Sequence, residues 1–228
     1  MKNKLVLIIG FGSAGRRFAN IFSDKGYKVY IFQHRNISLP HGYFSFEKNS
    51  DLSKFYCAVI ASTTSTHTSY LKMLAVAGVP TFVEKPISDE YFQIKNFLGS
   101  FKNNGGLKVQ VGFNLRYLPI IGVISKYLTE GKLGKILYAD LYVGQYLPSW
   151  RLEGSYADSY SASFSEGGGV SLDLIHELDL AYCWFGNVNF NEIFSAKLSK
   201  LKIDCEDFVR FETKLKPELL PQEYQPRL

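Results

Sequence analysis

The chain has 228 residues, and its 46% hydrophobic and 15% aromatic content is enough to fill a packed core and excludes intrinsic disorder. The 26 Lys and Arg exceed the 21 Asp and Glu by five, but this excess is scattered as solvated charges, so a nucleic-acid-binding surface is not supported. Three cysteines without CxxC spacing indicate reduced, buried thiols, and no apolar stretch approaches the roughly 20 residues of a membrane span, so we expect a cytoplasmic protein.

Strands and helices alternate along the first half of the chain. Short apolar runs bounded by glycine are typical of strands buried on both faces, whereas apolar residues three or four apart indicate helices. In chain order we predict a strand at 4–9, a helix at 13–25, strands at 27–33 and 56–61, a helix at 66–77, a strand at 80–84, a helix at 89–101 and a strand at 107–112. This alternation predicts right-handed βαβ units and one parallel sheet.

The turn after the first predicted strand, GFGSAG at residues 10–15, has the GxGxxG pattern of dinucleotide-binding sites. Its first glycine makes the tight turn, its second lets the backbone approach a pyrophosphate, and its third permits close helix–strand packing at the positive end of the helix. The residues expected to bind the cofactor here are Gly10, Gly12, Ser13, Ala14, Gly15 and, as an added charge, Arg16. A surface arginine with no role in binding is the alternative for Arg16.

The end of the second predicted strand bears on the choice of cofactor. This strand ends within QHRN, residues 33–36, which lacks the carboxylate that usually binds an NAD ribose. An arginine beside the ribose can accept a 2′-phosphate instead, so Arg35, with His34 next to it, favours NADP over NAD. The alternative is that Arg35 points to solvent and that either cofactor is accepted.

Lys85 stands in VEKP, residues 83–86, directly after a predicted strand. Ligands of parallel sheets bind at the carboxyl ends of the strands, so this lysine is placed where a chemical group would be useful. A solvated strand-end lysine is the alternative when the motif is considered alone.

Five motifs occur in the order seen in the Gfo/Idh/MocA oxidoreductase family, which the chain resembles over residues 1–212. They are the GxGxxG turn, ASTTSTH (61–67), VEKP (83–86), GFNLRY (112–117) and GGGVSLDLIHELD (167–179). The resemblance implies a Rossmann-type doubly wound parallel sheet at 1–116, followed by an α+β domain with an open, mainly antiparallel sheet at 117–228. It also implies that NAD(P) exchanges a hydride with a hydroxyl-bearing carbon of a sugar, cyclitol or nucleotide-sugar derivative, in a homo-oligomer formed through the second sheet.

The resemblance also implies roles for residues around VEKP. Lys85 would hydrogen-bond the substrate hydroxyl and help to move its proton, and Pro86 would follow an unusual, often cis, peptide bond. Glu84 would contact the cofactor ribose or hold the turn.

Four further residues are implied to lie on the nicotinamide–ribose side of the cofactor: Thr64, Ser65, His67 and Asn114. The alternative for Thr64 and Ser65 is a cap of the following helix, and for Asn114 a turn asparagine.

The second half of the chain lacks the regular alternation of strands and helices seen in the first half. A helix fits 117–130, and residues 131–146 predict a turn followed by a long alternating strand. Residues 145–169 form a long loop rich in Tyr, Ser and Gly, and loops of that length are usually functional. Its Arg151, Tyr156 and Tyr160 are candidate substrate contacts suited to a polyol or an acidic sugar, although a plain surface loop is the alternative.

A helix is predicted at 170–185 after the triple glycine. Asp173 and His176 are three residues apart, so we expect them on one helix face as a proton relay that also touches substrate. The resemblance gives His176 an acid/base role and Asp173 a positioning role; a structural histidine is the alternative. Glu177 and Asp179 are expected to be solvated or helix-side charges, and no metal site is expected.

The resemblance ends near the C-terminus. Strands are predicted at 188–198 and 205–214, whereas family members continue with several more strands and a helix. The tail at 215–228 contains three prolines and is expected to be irregular. We therefore expect an incomplete second sheet, and a non-catalytic cofactor-binding remnant or a redox-sensing regulator stays open as the alternative function.

Overall fold

The computed structural model describes residues 4–33, 38–47, 50–101, 108–150, 154–186 and 190–214. The chain divides into two compact units, Met1–Gly112 with Ser165–Gly167, and Phe113–Phe164 with Gly168–Leu228. His34, Arg35 and Arg151, and the tail from residue 215, lie outside the described residues. Within the described ranges no helix is both long and apolar enough to cross a membrane.

The first unit contains a parallel sheet of six strands. They are β1 (Leu5–Ile9), β2 (Lys28–Phe32), β3 (Phe44–Ser45), β4 (Phe55–Ile60), β5 (Thr81–Val83) and β6 (Val109–Val111). Their order across the sheet is β3-β2-β1-β4-β5-β6, which is the Rossmann order with its reversal between β1 and β4. The sequence does not predict β3, because two residues are too short for a periodic signal.

Helices cover both faces of this sheet. They are α1 (Ser13–Asp24), α2 (His67–Val76) and α3 (Tyr91–Phe101). Because side chains alternate along a strand, Val6 and Ile8 pack with α1 on one face, while Leu7 and Ile9 pack with α2 and α3 on the other. The predicted doubly wound sheet is thus confirmed.

The second unit contains α4 (Pro119–Thr129), α5 (Leu147–Trp150), α6 (Val170–Asp173), α7 (His176–Phe185) and the strands β7 (Glu192–Ala196) and β8 (Phe208–Glu212). The two strands form an antiparallel sheet in which Phe194 lies opposite Arg210. Single turns of 3₁₀ helix at Tyr156–Asp158, Tyr160–Ala162 and Phe164–Glu166 occupy the loop before α6.

Two predicted elements of this unit are wrong. Residues 135–146 form no strand, and apolar side chains there, such as Tyr142 at 86% exposure, face solvent. A strand needs a neighbour to bond its backbone, and no described strand pairs with this segment. The predicted helix at 170–185 is two helices, because residues 174–175 form a turn between α6 and α7.

Candidate functional site

The glycine turn between β1 and α1 is built by close backbone approach. Gly10 has φ +91°, and a Cβ on it would lie 2.5 Å from the carbonyl oxygen of Ala61. A Cβ on Gly15 would overlap the carbonyl oxygen of Gly10. Around Gly12, in contrast, no atom lies within 4 Å of the position of a Cβ. The first and third glycines are therefore required by the fold, while the second faces open space.

The start of α1 suits an anion. This 12-residue helix has neither a capping side chain at Gly12 nor an acidic residue in its first turn. Its first backbone N–H groups, beginning with Ser13 and Ala14, lack partners within the helix and carry the positive end of its dipole. The exposed Arg16 lies in the same turn. A dinucleotide pyrophosphate fits this arrangement, with its backbone approach at Gly12.

A salt bridge connects α1 to the turn after β5. The Nη2 atom of Arg17 lies 3.6 Å from Oε1 of Glu84, and the Glu84 carboxylate accepts the backbone N–H of Lys85. Burial raises the pKa of Glu84, and the positive charges of Arg17 and Lys85 oppose that shift. The contact with the Lys85 backbone fits the expected role of holding the turn, and the expected contact with a cofactor ribose stays a prediction. Sequence reasoning names Arg16 and misses Arg17, because spacing alone does not fix which of two adjacent arginines faces the sheet.

Lys85 is half-buried at the carboxyl end of β5. The Lys85–Pro86 peptide bond is cis, as the resemblance implies. Pro86 itself is buried.

His67 has surroundings that differ from the expected cofactor contact. The residue is 1% exposed, and its two ring nitrogens face the carbonyl oxygens of Pro86 and Ser62 at 2.8 and 3.1 Å. The ring therefore offers no open edge to a cofactor, since both polar atoms are occupied within the fold. Burial lowers its pKa.

Thr64 and Ser65 lie in a turn of 3₁₀ helix, Thr64–Thr66, that precedes α2. They are therefore not at the capping position, which Thr66 occupies without a side-chain cap bond. Thr64 is buried, and a Cβ on Gly167 would come within 2.6 Å of its side chain, whereas Ser65 is exposed. Only Ser65 of this pair presents its side chain at the surface.

In the second unit, Asp173 is held by hydrogen bonds around α6. The hydroxyl of Tyr160 donates to Asp173 Oδ1 at 2.8 Å, and Asp173 is 6% exposed. Glu206 accepts the backbone N–H of Ser171 at 3.1 Å and also its hydroxyl. The expectation that Asp173 and His176 share one helix face is wrong, because Asp173 ends α6 and His176 begins α7. Separate tethers hold these two short helices.

The tether of α7 is an ion pair that the sequence does not predict. Arg116 donates from Nε to Oδ2 of Asp179 at 2.7 Å and makes a second contact through Nη2. Asp179 is 8% exposed, so it is not a solvated charge. The Arg116 guanidinium also lies 5.3 Å from the ring centre of Phe113. The rings of Phe113 and His176 are nearly perpendicular, with their centres 6.1 Å apart. The spacing of three residues from His176 is the only sequence signal for Asp179.

The remaining candidates have more modest settings. The hydroxyl oxygen of Tyr156 accepts the backbone N–H of Lys202 at 3.2 Å, and the exposed Asn114 begins a turn of 3₁₀ helix. All three cysteines are free thiols, and burial raises the pKa of Cys57 and Cys205 to about 11. In the part of the chain that the structure describes, no three His, Cys, Asp or Glu side chains are grouped as metal ligands.

The sheet order and the glycine turn define a Rossmann fold whose first turn has the dinucleotide-binding pattern. Residues 4–113 match the model of the Gfo/Idh/MocA family, described as an oxidoreductase family with an NAD-binding Rossmann fold. This match and the curated oxidoreductase relatives support membership of that family, and the resemblance seen in the sequence is confirmed.

Known relatives share this fold at low sequence identity. An inositol 2-dehydrogenase/D-chiro-inositol 3-dehydrogenase of Lactiplantibacillus plantarum is 27% identical over 164 residues, which are 68% of this chain and 43% of that protein. The structure of the WlbA dehydrogenase from Bordetella pertussis, in complex with NADH and UDP-GlcNAcA, superposes with a TM-score of 0.77 at 17% identity, covering 95% of this chain and 64% of that one. Scyllo-inositol dehydrogenase from Lactobacillus casei, with bound NAD(H) and scyllo-inositol, gives 0.66 at 21% identity, covering 87% and 61%. The chain spans less than half the length of the curated relatives it matches.

Proposed function

We propose that the protein is an NAD(P)-dependent oxidoreductase that transfers a hydride to or from a hydroxyl-bearing carbon of a sugar, cyclitol or nucleotide-sugar derivative. The observation that carries this proposal is the shared position of the glycine turn and Lys85 at the carboxyl edge of one parallel sheet. Only β4 separates β1 from β5, so the two strand ends are about 10 Å apart at the usual strand spacing. The Arg17–Glu84 pair joins the two sides of this edge.

In this proposal, residues of the chain transfer the proton of the substrate hydroxyl. The bound nicotinamide supplies the acceptor or donor of the hydride. In the oxidation direction, the amine form of Lys85 accepts the proton of the substrate hydroxyl as the carbinol C–H bond breaks and the C=O bond forms; in reduction the ammonium returns it. From the second unit, His176 is proposed as a further acid/base group, and Asp173, bonded to Tyr160, as a positioning group for substrate.

The substrate class rests on similarity to named relatives. Inositol dehydrogenases and a levoglucosan dehydrogenase of Pseudarthrobacter phenanthrenivorans act on polyhydroxylated rings by their names, and the WlbA structure holds a nucleotide sugar. A polyol or sugar ring is therefore the proposed substrate of this chain, with Arg151, Tyr156 and Tyr160 as proposed contacts. For the cofactor we keep the preference for NADP drawn from His34 and Arg35, although the two structural relatives hold NAD(H).

The test compares cofactor binding with turnover. The purified chain is titrated with NADPH and with NADH, following the emission of the reduced nicotinamide, and is then assayed with inositols, aldoses and UDP-sugars. Lys85→Ala should abolish turnover while leaving the cofactor Kd nearly unchanged, and the exposed Lys72→Ala, on α2, serves as the matched control. Undiminished turnover in Lys85→Ala refutes the catalytic role, and failure of the folded chain to bind either cofactor refutes the whole proposal.

A cofactor-binding protein without catalysis is the second candidate. Tight cofactor binding without turnover of any polyol or nucleotide sugar selects this reading. Sedimentation of the same sample tests the proposed homo-oligomer.

A further inference from the structure

His67 connects two turns at the carboxyl edge of the sheet. Its Nδ1 lies 2.8 Å from the carbonyl oxygen of Pro86, the residue after Lys85. Its Nε2 lies 3.1 Å from the carbonyl oxygen of Ser62, in the turn after β4. The imidazole is buried at the first residue of α2, so helix, ring and both turns form one packed unit.

The contact with His67 is one of several restraints around Lys85. On its N-terminal side, the backbone N–H of Lys85 is donated to the carboxylate of Glu84. On its C-terminal side, the carbonyl of the next residue faces the imidazole of His67. The neighbouring Thr68 donates its hydroxyl to Ser88 at 2.9 Å, so the first turn of α2 is fastened to the same loop at a second point. The position of the lysine backbone is thereby set from both directions.

The two carbonyls cannot both be satisfied by a neutral ring. A carbonyl oxygen only accepts hydrogen bonds, and a neutral imidazole has one N–H, whereas an imidazolium has two. Burial lowers the pKa of His67; the two carbonyls and the Asp89 carboxylate oppose that shift, and the charge of Lys85 adds to it. The ring is therefore neutral at pH 7 and donates to one carbonyl, and the shorter distance selects that of Pro86.

We propose that His67 is a positioning residue for Lys85: it donates its Nδ1–H to the Pro86 carbonyl and so fixes the turn that presents the lysine. This role replaces the cofactor contact expected from the sequence. The inference depends on the proposed function for the importance of Lys85, but its tests need neither cofactor nor substrate.

The first test identifies the protonated ring nitrogen. Long-range ¹H–¹⁵N spectra of the ¹⁵N-labelled chain distinguish protonated from unprotonated imidazole nitrogens. His67 is one of four histidines and is assigned by the signal that His67→Asn removes. Protonation of Nδ1 at pH 7, with or without a proton on Nε2, supports the proposal. A ring protonated on Nε2 alone overturns it, because the Pro86 carbonyl then has no donor in the ring.

The second test measures how firmly Lys85 is held. Limiting acetic anhydride is applied to the wild-type chain and to His67→Asn, His67→Gln and His67→Leu, and the ratio of Lys85 to Lys72 acetylation is read by peptide mass spectrometry. The asparagine amide can take the place of Nδ1, the glutamine amide that of Nε2, and leucine replaces neither. We expect the asparagine variant to keep the wild-type ratio, and the glutamine and leucine variants to shift it about fivefold, as for one lost hydrogen bond.

The comparison between the asparagine and glutamine variants distinguishes a hydrogen bond from Nδ1 from a general packing role of His67. This comparison tests the proposal even if the leucine variant does not fold. An unchanged ratio in glutamine and leucine variants, or the same shift in all three, overturns the proposal. The exposed His41→Asn controls for loss of a histidine. A wild-type chain that fails to bind NAD(P)H refutes the proposed function while the acetylation ratios still report on His67.

Discussion

Alanine at Gly15 and alanine at Gly12 should damage different properties of the protein. A Cβ on Gly15 would overlap the Gly10 carbonyl oxygen, lie 2.9 Å from its carbon and 3.6 Å from the side chain of Ile8. The first two neighbours are backbone atoms and cannot rotate away, so the start of α1 must move. Overpacking costs about 1–3 kcal/mol and alanine offsets about 1 kcal/mol by its helix propensity. Because the clashing atoms are backbone, we take the upper part of that range, about 2–3 kcal/mol, and expect a net loss of about 1–2 kcal/mol, which lowers Tm by about 2–8 °C at this chain length.

Gly12→Ala meets no such obstacle. Nothing lies within 4 Å of its Cβ position, and φ −75° with ψ −165° is extended backbone that alanine adopts freely. The free energy of unfolding should therefore change by less than about 0.5 kcal/mol. A pyrophosphate that approaches the backbone here meets the new methyl group, so the affinity for NADPH and NADH should fall at least about tenfold.

Thermal unfolding by circular dichroism without cofactor, and fluorescence titration with NADPH and NADH, measure the two properties independently. Gly99→Ala is the matched control: it lies inside α3 with no atom near its Cβ position, and it should raise stability by up to about 1 kcal/mol. Wild-type cofactor affinity in Gly12→Ala contradicts the proposed pyrophosphate position. A wild-type Tm in Gly15→Ala contradicts the steric reasoning.

Three further predictions concern the two units separately. Asp179→Asn should lower the free energy of unfolding by about 2–3 kcal/mol, because it weakens two charge-assisted bonds from Arg116. The control Asp140→Asn, at an exposed position, should leave the free energy of unfolding unchanged. Equal effects of the two substitutions in urea denaturation contradict the structural role of the Arg116–Asp179 pair. Cys57, with a pKa of about 11, should react with iodoacetamide at pH 8 at least about 100-fold more slowly than an exposed thiol, and ready alkylation of the native chain contradicts the burial. Burial lowers the pKa of His67 in the folded chain, so the stability that depends on its neutral form is complete above pH 6.5 and is lost as the pH falls. The free energy of unfolding should fall by up to about 1.4 kcal/mol per pH unit in this range, and His67→Asn should remove that dependence. The same pH dependence in both chains contradicts this assignment.

The first unit could be predicted from the sequence because its signals are local. The apolar run at 5–9, the glycine turn and the helix after it belong to one βαβ unit, and each specifies the next. What the sequence misses there depends on packing between distant segments. The ring of His67 meets the carbonyl of Pro86 across 19 residues, and no periodicity reports such a contact.

The second unit was predicted less well because its patterns need partners. The alternating pattern at 131–146 forms a strand only if a neighbouring strand bonds its backbone and a core buries its apolar side chains. Among the described residues, 135–146 have neither. The pairing of Arg116 with Asp179 spans 63 residues and turns an expected solvated charge into a buried one. The break between α6 and α7 at residues 174–175 contains no glycine or proline from which it could have been predicted.

The Arg17–Glu84 pair gives the two halves of the sheet edge a shared contact. Glu84 also bonds the backbone of Lys85, so an anion at the start of α1 that drew on the Arg17 guanidinium would compete with Glu84 and affect the lysine turn. By reciprocity, whatever free energy the anion transmits to the lysine turn, a ligand on the lysine transmits back to the anion. Because Arg17 is 62% exposed, this coupling is at most about 1 kcal/mol and is screened by salt. If that coupling exists, raising the ionic strength would change anion affinity and lysine reactivity in parallel, because both would depend on this one ion pair.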